Sequence, residues 1–180
     1  MVSCCDGAYM ASRKFHLPEQ GRVLVFSEAV LTQMYAHAQV RWFQQEAGGQ
    51  LFCSAPECPD ILVDAVTGPH RKDQRTRHGW VPDVQQATID RHQQFNAGRH
   101  AVGLWHTHPE PMPSPSTQDL QTASEYLQAF GDSMDGFLLV ILGNAGVPLN
   151  MDVWLLHRVL GRDGIRLREE LDFRACSLPK

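Results

Sequence analysis

Two histidines, His106 and His108, stand one residue apart at the end of the short apolar run HAVGLWH. In a β-strand the side chains at positions i and i+2 lie on the same face, so both imidazoles can point at one site while Thr107 points away. Zinc accepts neutral imidazole nitrogens and commonly takes a carboxylate as the third protein ligand of a catalytic site, which leaves one position for water. Asp119, in the first turn of the next predicted helix, is the natural third ligand. The spacing therefore predicts a catalytic zinc site.

The loop between the histidines and Asp119 carries prolines at positions 109, 111, 113 and 115. Proline fixes φ, so this stiff loop loses less entropy when it holds the third ligand in place. Ser116 and Asp119 also match a capping box, in which a serine and the residue three positions later satisfy free amides at a helix N-terminus. A histidine at a strand end can likewise be purely structural. Capping and catalysis are compatible, because a serine hydroxyl can accept one hydrogen bond and donate another.

Short apolar runs alternate with stretches of helical spacing along the chain, and turns rich in glycine and proline separate them. The predicted elements, in chain order, are a strand at 22–26, a helix at 27–45, strands at 50–54 and 61–68, a loop or ragged hairpin at 70–80, a helix at 83–96, a strand at 100–106, a helix at 117–130, strands at 136–142 and 151–160, and a last strand or tail at 164–173. This order predicts an α+β sandwich in which helices cover a mostly antiparallel or mixed sheet.

The first helix is predicted to begin at Ser27, which can cap it, and to end at the AGG of residues 47–49, since glycine adopts the left-handed conformation without steric cost. Its apolar residues fall at helical spacing and predict one buried stripe. The stripe consists of Val30, Leu31, Met34, Tyr35, Ala38 and Trp42. Trp105 alternates away from the face of the two histidines and is predicted to lie in the core.

The composition predicts one domain with its own core: 180 residues, of which 43% are hydrophobic and 20% charged. Residues 1–20 show no periodicity and are expected to form a loose leader, and residues 21–175 the domain. A formal net charge of −4 gives no global positive field, which argues against a nucleic acid or an anionic membrane as partner. The dense basic cluster is predicted to be a solvated surface loop. It consists of Arg71, Lys72, Arg75 and Arg77.

The cysteines are odd in number and include no CxxC pair, so neither a disulfide framework nor a zinc finger is indicated. They are Cys4, Cys5, Cys53, Cys58 and Cys176. Cys53 and Cys58 flank a turn and could bind a metal or each other, although idle thiols are commoner. No run approaches the roughly 18 apolar residues of a membrane span, and a reducing cytoplasm fits best.

The pattern His106-x-His108, seven residues, Ser116, two residues, Asp119 resembles the signature of the JAMM (MPN+) zinc metalloproteases. That family also places a glutamate before a Gly-Gly and an apolar strand, and Glu46 in EAGGQLFC occupies this position. Three other glutamates, Glu28, Glu57 and Glu110, fit it less well. The resemblance implies an MPN/JAMM-like, cytidine-deaminase-like fold with a mixed β-sheet flanked by helices.

The resemblance also implies a role for each residue. His106, His108 and Asp119 would hold Zn²⁺, which lowers the pKa of water. Glu46 would accept a proton from that water and deliver it to the leaving amine. Ser116 would donate a hydrogen bond to the developing oxyanion and would not be a nucleophile.

Residues 22–158 resemble the bacterial branch of the family found in anti-phage operons of the CBASS or ubiquitin-like conjugation type. This resemblance implies cleavage of peptide or isopeptide bonds after the C-terminus of a ubiquitin-like or conjugated protein. Residues 67–99 are the candidate insertion for binding that partner, in which Arg75 or Arg77 could meet an acidic patch or be ordinary surface charge.

Three other functions remain open. The same chemistry could trim a ubiquitin-like or sulphur-carrier precursor to expose its C-terminal diglycine. The fold could also serve as a non-catalytic MPN scaffold, although a scaffold needs no complete ligand set. A metal-dependent phosphodiesterase is disfavoured, because the chain shows no second ligand cluster and no phosphate-binding glycine-rich loop.

Overall fold

A six-stranded mixed sheet lies at the centre of the computed structural model, which describes residues 12–19, 21–159 and 161–170. The elements are β1 (Arg13–His16), β2 (Val23–Phe26), α1 (Glu28–Tyr35), β3 (Gly48–Cys53), β4 (Asp60–Val63), β5 (Ala65–Val66), β6 (Gln74–Thr76), β7 (Gly79–Val81), α2 (Val84–Asn96), β8 (His100–Thr107), α3 (Thr117–Ala129), a 3₁₀ turn (Gly131–Ser133), β9 (Gly136–Leu142), β10 (Met151–His157), β11 (Gly161–Arg166) and β12 (Arg168–Glu169). Within the described ranges, no helix is both long and apolar enough to cross a membrane.

The central sheet has the strand order β11-β10-β9-β8-β3-β5. All neighbours in it pair antiparallel except β8 and β9, which run parallel. Because parallel strands end at the same edge, the carboxyl ends of β8 and β9 lie side by side. A second sheet, in the order β12-β1-β2-β4, has no strand in common with the central sheet, and β6 and β7 form a separate hairpin.

Each face of the central sheet is buried against other elements. On one face the core is shared with α1 and the second sheet, and includes Phe15, Leu24, Phe26, Leu31, Met34 and Trp105. On the other face the core is shared with α3, and includes Leu104, Ala123, Leu127, Phe137, Leu139 and Ile141. Trp105 is fully buried, as predicted, and its Nε1 donates to the Thr67 carbonyl at 3.0 Å. The predicted α+β architecture, a mixed sheet flanked by helices, is confirmed.

The predicted strands and helices from residue 83 onwards match the structure closely. Asp83 caps α2, whose bounds agree with the prediction to one residue, and Gly98 beyond its end has φ of 78°. The ragged hairpin predicted at 70–80 is the β6–β7 hairpin. The last predicted strand is divided, since β11 extends the central sheet and β12 extends the second.

The prediction for the first helix is wrong at its C-terminal end. Ser27 caps α1 as expected, accepting from the Val30 N–H, but the helix ends at Tyr35 and not at Gln45. The buried side-chain amide of Gln39 donates to the Gln44 and Arg77 carbonyls, so the chain turns back against the hairpin. Trp42, predicted to lie in the buried stripe, is 80% exposed.

The glycines that were expected to end this helix lie in β3 instead. A Cβ at Gly49 would lie 1.8 Å from the Thr67 carbonyl oxygen, and one at Gly48 would lie 2.7 Å from the Trp105 carbonyl oxygen. These glycines are therefore required for close approach of neighbouring backbone, and not for a left-handed turn.

Two further predictions need correction. Residues 61–68 are not one strand, because the chain passes from the second sheet (β4) to the central sheet (β5) at Asp64, whose N–H donates to the Phe52 carbonyl. Part of the expected loose leader is a strand: in β1, Arg13 lies 2.5 Å from Glu169 and its guanidinium also donates to Tyr35. Residues 1–11 and 171–175, and with them the proposed outer limits of leader and domain, lie outside the described residues.

Candidate metal centre

The predicted metal ligands lie at the carboxyl edge of the central sheet. His106 lies near the end of β8, and His108 follows it, with its N–H donating to the Leu142 carbonyl at the end of β9. The proline-rich loop is held against the β9–β10 connection, where the side-chain amide of Asn150 donates to the Pro111 carbonyl at 2.7 Å. This loop returns the chain to the start of α3, beside the two histidines.

The three predicted ligands, His106, His108 and Asp119, converge on one point. The two imidazole Nε2 atoms are 2.9 Å apart. Nε2 of His106 is 3.3 Å from Asp119 Oδ1, and Nε2 of His108 is 3.5 Å from Asp119 Oδ2. Ligands of a tetrahedral zinc ion at 2.0–2.1 Å are separated by about 3.3 Å. The distances to the two Asp119 oxygens are close to this value, whereas the two Nε2 atoms lie closer together than it. The side chains of His106, His108 and Asp119 are 6%, 12% and 19% exposed, so the group is largely buried.

Asp119 takes part in the N-terminal capping of α3 and also faces the two histidines. Its Oδ2 accepts from the Ser116 N–H at 2.7 Å, and the Ser116 hydroxyl accepts from the Asp119 N–H at 3.2 Å, which completes the capping box. Burial alone would raise the pKa of Asp119, but its hydrogen bonds to His106 and His108 hold that pKa well below its usual range. The carboxylate is therefore ionised, as a metal ligand must be.

Glu46 lies two residues before the start of β3, next to the strand that carries His106. Gly48 pairs with His106 in the antiparallel β3–β8 ladder, so the same register places Glu46 opposite His108. Side chains of opposite residues share a face of the sheet. Glu46 is 6% exposed, and burial raises the pKa of its carboxyl group to about 7, an effect that His108 opposes and Asp119 reinforces. A carboxyl group with a pKa near neutrality suits proton transfer.

The other glutamates lie in different surroundings. Glu28 is exposed in the first turn of α1, and Glu57 is exposed in the turn before β4. Glu110 lies at the rim of the site, with Oε2 3.7 Å from Nδ1 of His108 and its side chain 54% exposed. This distance is too long for a direct hydrogen bond.

Thr107 was not singled out from the sequence as part of the site. It is fully buried, its hydroxyl donates to Oε1 of Gln39 at 3.1 Å, and it accepts from the Ala47 N–H at 3.0 Å. Thr107 thus ties the histidine strand to the residue that follows Glu46. The sequence did offer a signal for Thr107. A residue between two predicted ligands faces the opposite side of the strand, and a polar side chain buried there needs hydrogen-bond partners.

The basic cluster is only partly the solvated loop that was predicted. Arg71 and Lys72 are exposed. The Arg75 guanidinium donates to the Glu46 and Gln45 carbonyls, and the Arg77 guanidinium donates to the Trp42 carbonyl. These two arginines attach the β6–β7 hairpin to the segment that carries Glu46.

Cys53 and Cys58 are both free thiols, the first buried and the second exposed. Burial raises the pKa of Cys53 to about 11. The remaining three cysteines, Cys4, Cys5 and Cys176, lie outside the described residues.

Comparison with known proteins identifies the family of the chain. The model of a family described as prokaryotic homologs of the JAB domain matches residues 27–157. CD-NTase/cGAS isopeptidase from Escherichia coli (strain TW11681) is 30% identical over 103 residues, which are 56% of this chain and 65% of that protein. The match thus spans slightly less than two thirds of that relative.

A solved structure shows the same fold. The solution structure of protein DSY2949 from Desulfitobacterium hafniense has a TM-score of 0.56 at 18% identity, covering 81% of this chain and 88% of that one. The matched family region extends from the cap of α1 to the end of β10 and so contains every predicted site residue. The resemblance to JAMM (MPN+) proteins is confirmed: the chain belongs to the family of prokaryotic homologs of the JAB domain.

Proposed function

We propose that this protein is a zinc-dependent peptidase or isopeptidase that cleaves after the C-terminus of a ubiquitin-like or conjugated protein partner. The observation that carries the proposal is the convergence of His106, His108 and Asp119 beside the buried carboxyl group of Glu46. Families of one fold can include inactive members, but this chain keeps the ligands and the proton carrier together.

The donor set fits zinc rather than a harder cation. Two imidazole nitrogens and one carboxylate oxygen are the ligands of many catalytic zinc sites, whereas Mg²⁺ and Ca²⁺ prefer oxygen donors. When bound here, zinc would supply a Lewis acid that polarises a carbonyl group and lowers the pKa of water.

Glu46 performs the proton transfers of the proposed reaction. Its ionised carboxylate takes a proton from the water whose oxygen attacks the carbonyl carbon. As the C–N bond breaks, the same carboxyl group returns the proton to the leaving amine, so no other proton donor is needed. Its pKa near 7 makes both steps feasible at neutral pH.

Ser116 stabilises the negative charge that develops on the carbonyl oxygen. Its hydroxyl oxygen already accepts from the Asp119 N–H, which leaves the hydroxyl proton free to donate. The capping bond holds the Ser116 side chain at the start of α3, next to the ligand Asp119. Such a fixed donor is worth about 10²–10³ in rate.

The substrate is inferred from the E. coli relative, whose name describes an isopeptidase of CD-NTase/cGAS. We propose that the partner is a conjugated protein of that kind, joined through its C-terminus to an amine, in a bacterial anti-phage pathway. Residues 67–99, which carry the hairpin bound to the Glu46 segment, are the proposed contact region for this partner.

The test uses the purified full chain and a panel of fusions in which the C-terminus of a CD-NTase or of a ubiquitin-like protein is joined to a lysine side chain or to an α-amine. We expect cleavage directly after the partner's C-terminus, read by mass spectrometry, and loss of cleavage on addition of a zinc chelator. Cleavage of α-linked precursors alone would instead favour precursor processing.

Two variants sharpen this experiment. Glu46→Gln is expected to keep zinc and lower the rate by roughly 10²–10⁴. The matched control, Glu57→Gln, changes an exposed glutamate away from the site and should leave the rate unchanged. Chelator-insensitive cleavage would rule out the mechanism, and no cleavage of any fusion would favour a scaffold role.

A further inference from the structure

An indole ring lies against one of the metal-binding histidines. Trp80, in β7, is stacked on His106 with ring centroids 6.4 Å apart and an angle of 16° between the planes. This separation lies within the range of offset-stacked aromatic pairs. Trp80 belongs to the β6–β7 hairpin, which is separate from the sheet that carries His106.

Gly48 makes room for this contact. Gly48 pairs directly with His106, and a Cβ there would lie 2.7 Å from Cδ2 and Cε3 of Trp80. Any side chain at this position would push the indole away from the imidazole. Gly48, the first residue of β3, therefore also lets the hairpin approach the candidate metal centre.

Asp73 fixes the indole from the other side. Its Oδ2 accepts from Nε1 of Trp80 at 3.0 Å and from the His70 N–H at 2.8 Å. Its Oδ1 accepts from the Asp83 N–H at 2.8 Å. One carboxylate thus joins the indole to the chain before and after the hairpin, so Trp80 is held in place independently of His106.

Packing contributes to the orientation of the His106 imidazole, beside the contact of its Nε2 with Asp119. A metal-bound histidine usually donates its second ring N–H to a carboxylate or a carbonyl group, which fixes the plane of the ring. Among the residues that the structure describes, none forms such a hydrogen bond with Nδ1 of His106. Its imidazole is 6% exposed, and the indole plane lies nearly parallel to it.

We propose that Trp80 is a positioning residue for the metal ligand His106, and that Asp73 holds Trp80 in the orientation this requires. The inference rests on the proposed zinc site. The indole stops the imidazole from rotating about its χ2 bond, so Nε2 stays directed at the point that His108 and Asp119 share. The hairpin is then part of the metal centre, and not only a surface insertion.

The test compares metal binding by the full chain and its variants, without any substrate. Cobalt binding is followed by visible absorption, which reports ligand geometry, and zinc affinity by competition with a chelating dye. We expect Trp80→Ala to lower the affinity for both metals by about 10-fold or more, as is typical when a residue that supports a ligand is lost. The cobalt spectrum of this variant should also change. Trp80→Phe, which keeps an aromatic ring over Gly48, should restore most of the affinity.

The matched control is Trp42→Ala, since Trp42 is 80% exposed and, among the described aromatic pairs, its ring contacts only Phe43, in an edge-to-face arrangement. It should bind metal like the wild type. Asp73→Ala should weaken metal binding in the wild-type background but add little to Trp80→Ala, because Asp73 acts through Trp80. Additive losses would contradict this role of Asp73.

The outcomes separate this inference from the proposed function. If the wild type binds no metal, the proposed function fails and the inference with it. If the wild type binds zinc, but folded Trp80→Ala binds it equally well with the same cobalt spectrum, only the inference is overturned. Should Trp80→Ala fail to fold by circular dichroism, Trp80→Leu makes the same comparison, because it keeps apolar volume over Gly48 without a planar ring.

Discussion

Thr107 and Ala47 are joined by two hydrogen bonds. The Thr107 N–H donates to the Ala47 carbonyl at 2.9 Å, and the Ala47 N–H donates to the Thr107 hydroxyl at 3.0 Å. Thr107 lies between His106 and His108, and Ala47 follows Glu46. The pair therefore fixes the distance between the proposed proton carrier, Glu46, and the proposed metal ligands, although neither residue of the pair faces the candidate site.

Thr107→Val is expected to lower the free energy of unfolding by about 1–3 kcal/mol, because it leaves the buried Ala47 N–H and Oε1 of Gln39 without a partner. Denaturant titration measures this loss. Thr107→Ser keeps the hydroxyl group and should lose clearly less than the valine variant. Equal stability of the valine and serine variants would show that the hydroxyl bonds contribute nothing.

Glu46 should make the metal-free protein less stable as the pH rises. Burial raises its pKa from an ordinary 4.5 to about 7, so the folded state binds the proton more tightly than the unfolded state does. Between these two pH values the folded protein holds more protons, and its free energy of unfolding falls with increasing pH. Glu46→Gln lacks this contribution, so its stability relative to the wild type should increase from pH 4.5 to 7.

Urea titrations of metal-free protein at several pH values test this expectation, with Glu57→Gln as the control for an exposed glutamate. A stability difference between Glu46→Gln and the wild type that is constant over this range would show that Glu46 titrates normally.

Ser116→Ala should separate capping from catalysis when it is compared with Ser27→Ala. Both serines cap a helix: Ser116 accepts from the Asp119 N–H at 3.2 Å, and Ser27 accepts from the Val30 N–H at 3.4 Å. Each alanine variant should lose about 1 kcal/mol of stability. Only Ser116→Ala should also lose about 10²–10³ in turnover of a cleavable fusion. Equal turnover of the two variants would show that Ser116 only caps the helix and takes no part in catalysis.

Zinc should raise the melting temperature of the chelator-treated protein in a concentration-dependent manner. A ligand that binds only the folded state at 100 times its Kd adds about 2.7 kcal/mol of stability. His106→Ala should abolish this increase, whereas His100→Ala, which removes an exposed histidine at the other end of β8, should retain it. Calorimetry over a series of zinc concentrations measures the shift, and an undiminished shift in His106→Ala would place the metal elsewhere.

The convergence of His106, His108 and Asp119 could be predicted from the sequence, because these residues belong to elements with clear local signals. Alternation along β8 places His106 and His108 together, and the box of Ser116 and Asp119 marks the start of α3. The position of Glu46 followed only from the family resemblance, since nothing local to a glutamate indicates which strand it will lie beside.

The remaining features depended on contacts between distant segments. α1 stops at Tyr35 because the Gln39 side chain bonds to the Arg77 carbonyl, a contact that no local propensity encodes. β1 is recognisable only once its antiparallel partners, β2 and β12, are known. The stacking of Trp80 on His106 likewise depends on a hairpin folding over Gly48.

The carboxylate of Asp119 accepts from the Ser116 N–H at the start of α3, so folding of the chain alone holds this proposed ligand in place. Structural zinc fingers, by contrast, acquire their shape only when the metal arrives. If zinc binds as proposed, chelator treatment should therefore leave the chain folded, and re-addition of zinc should restore cleavage of a fusion substrate.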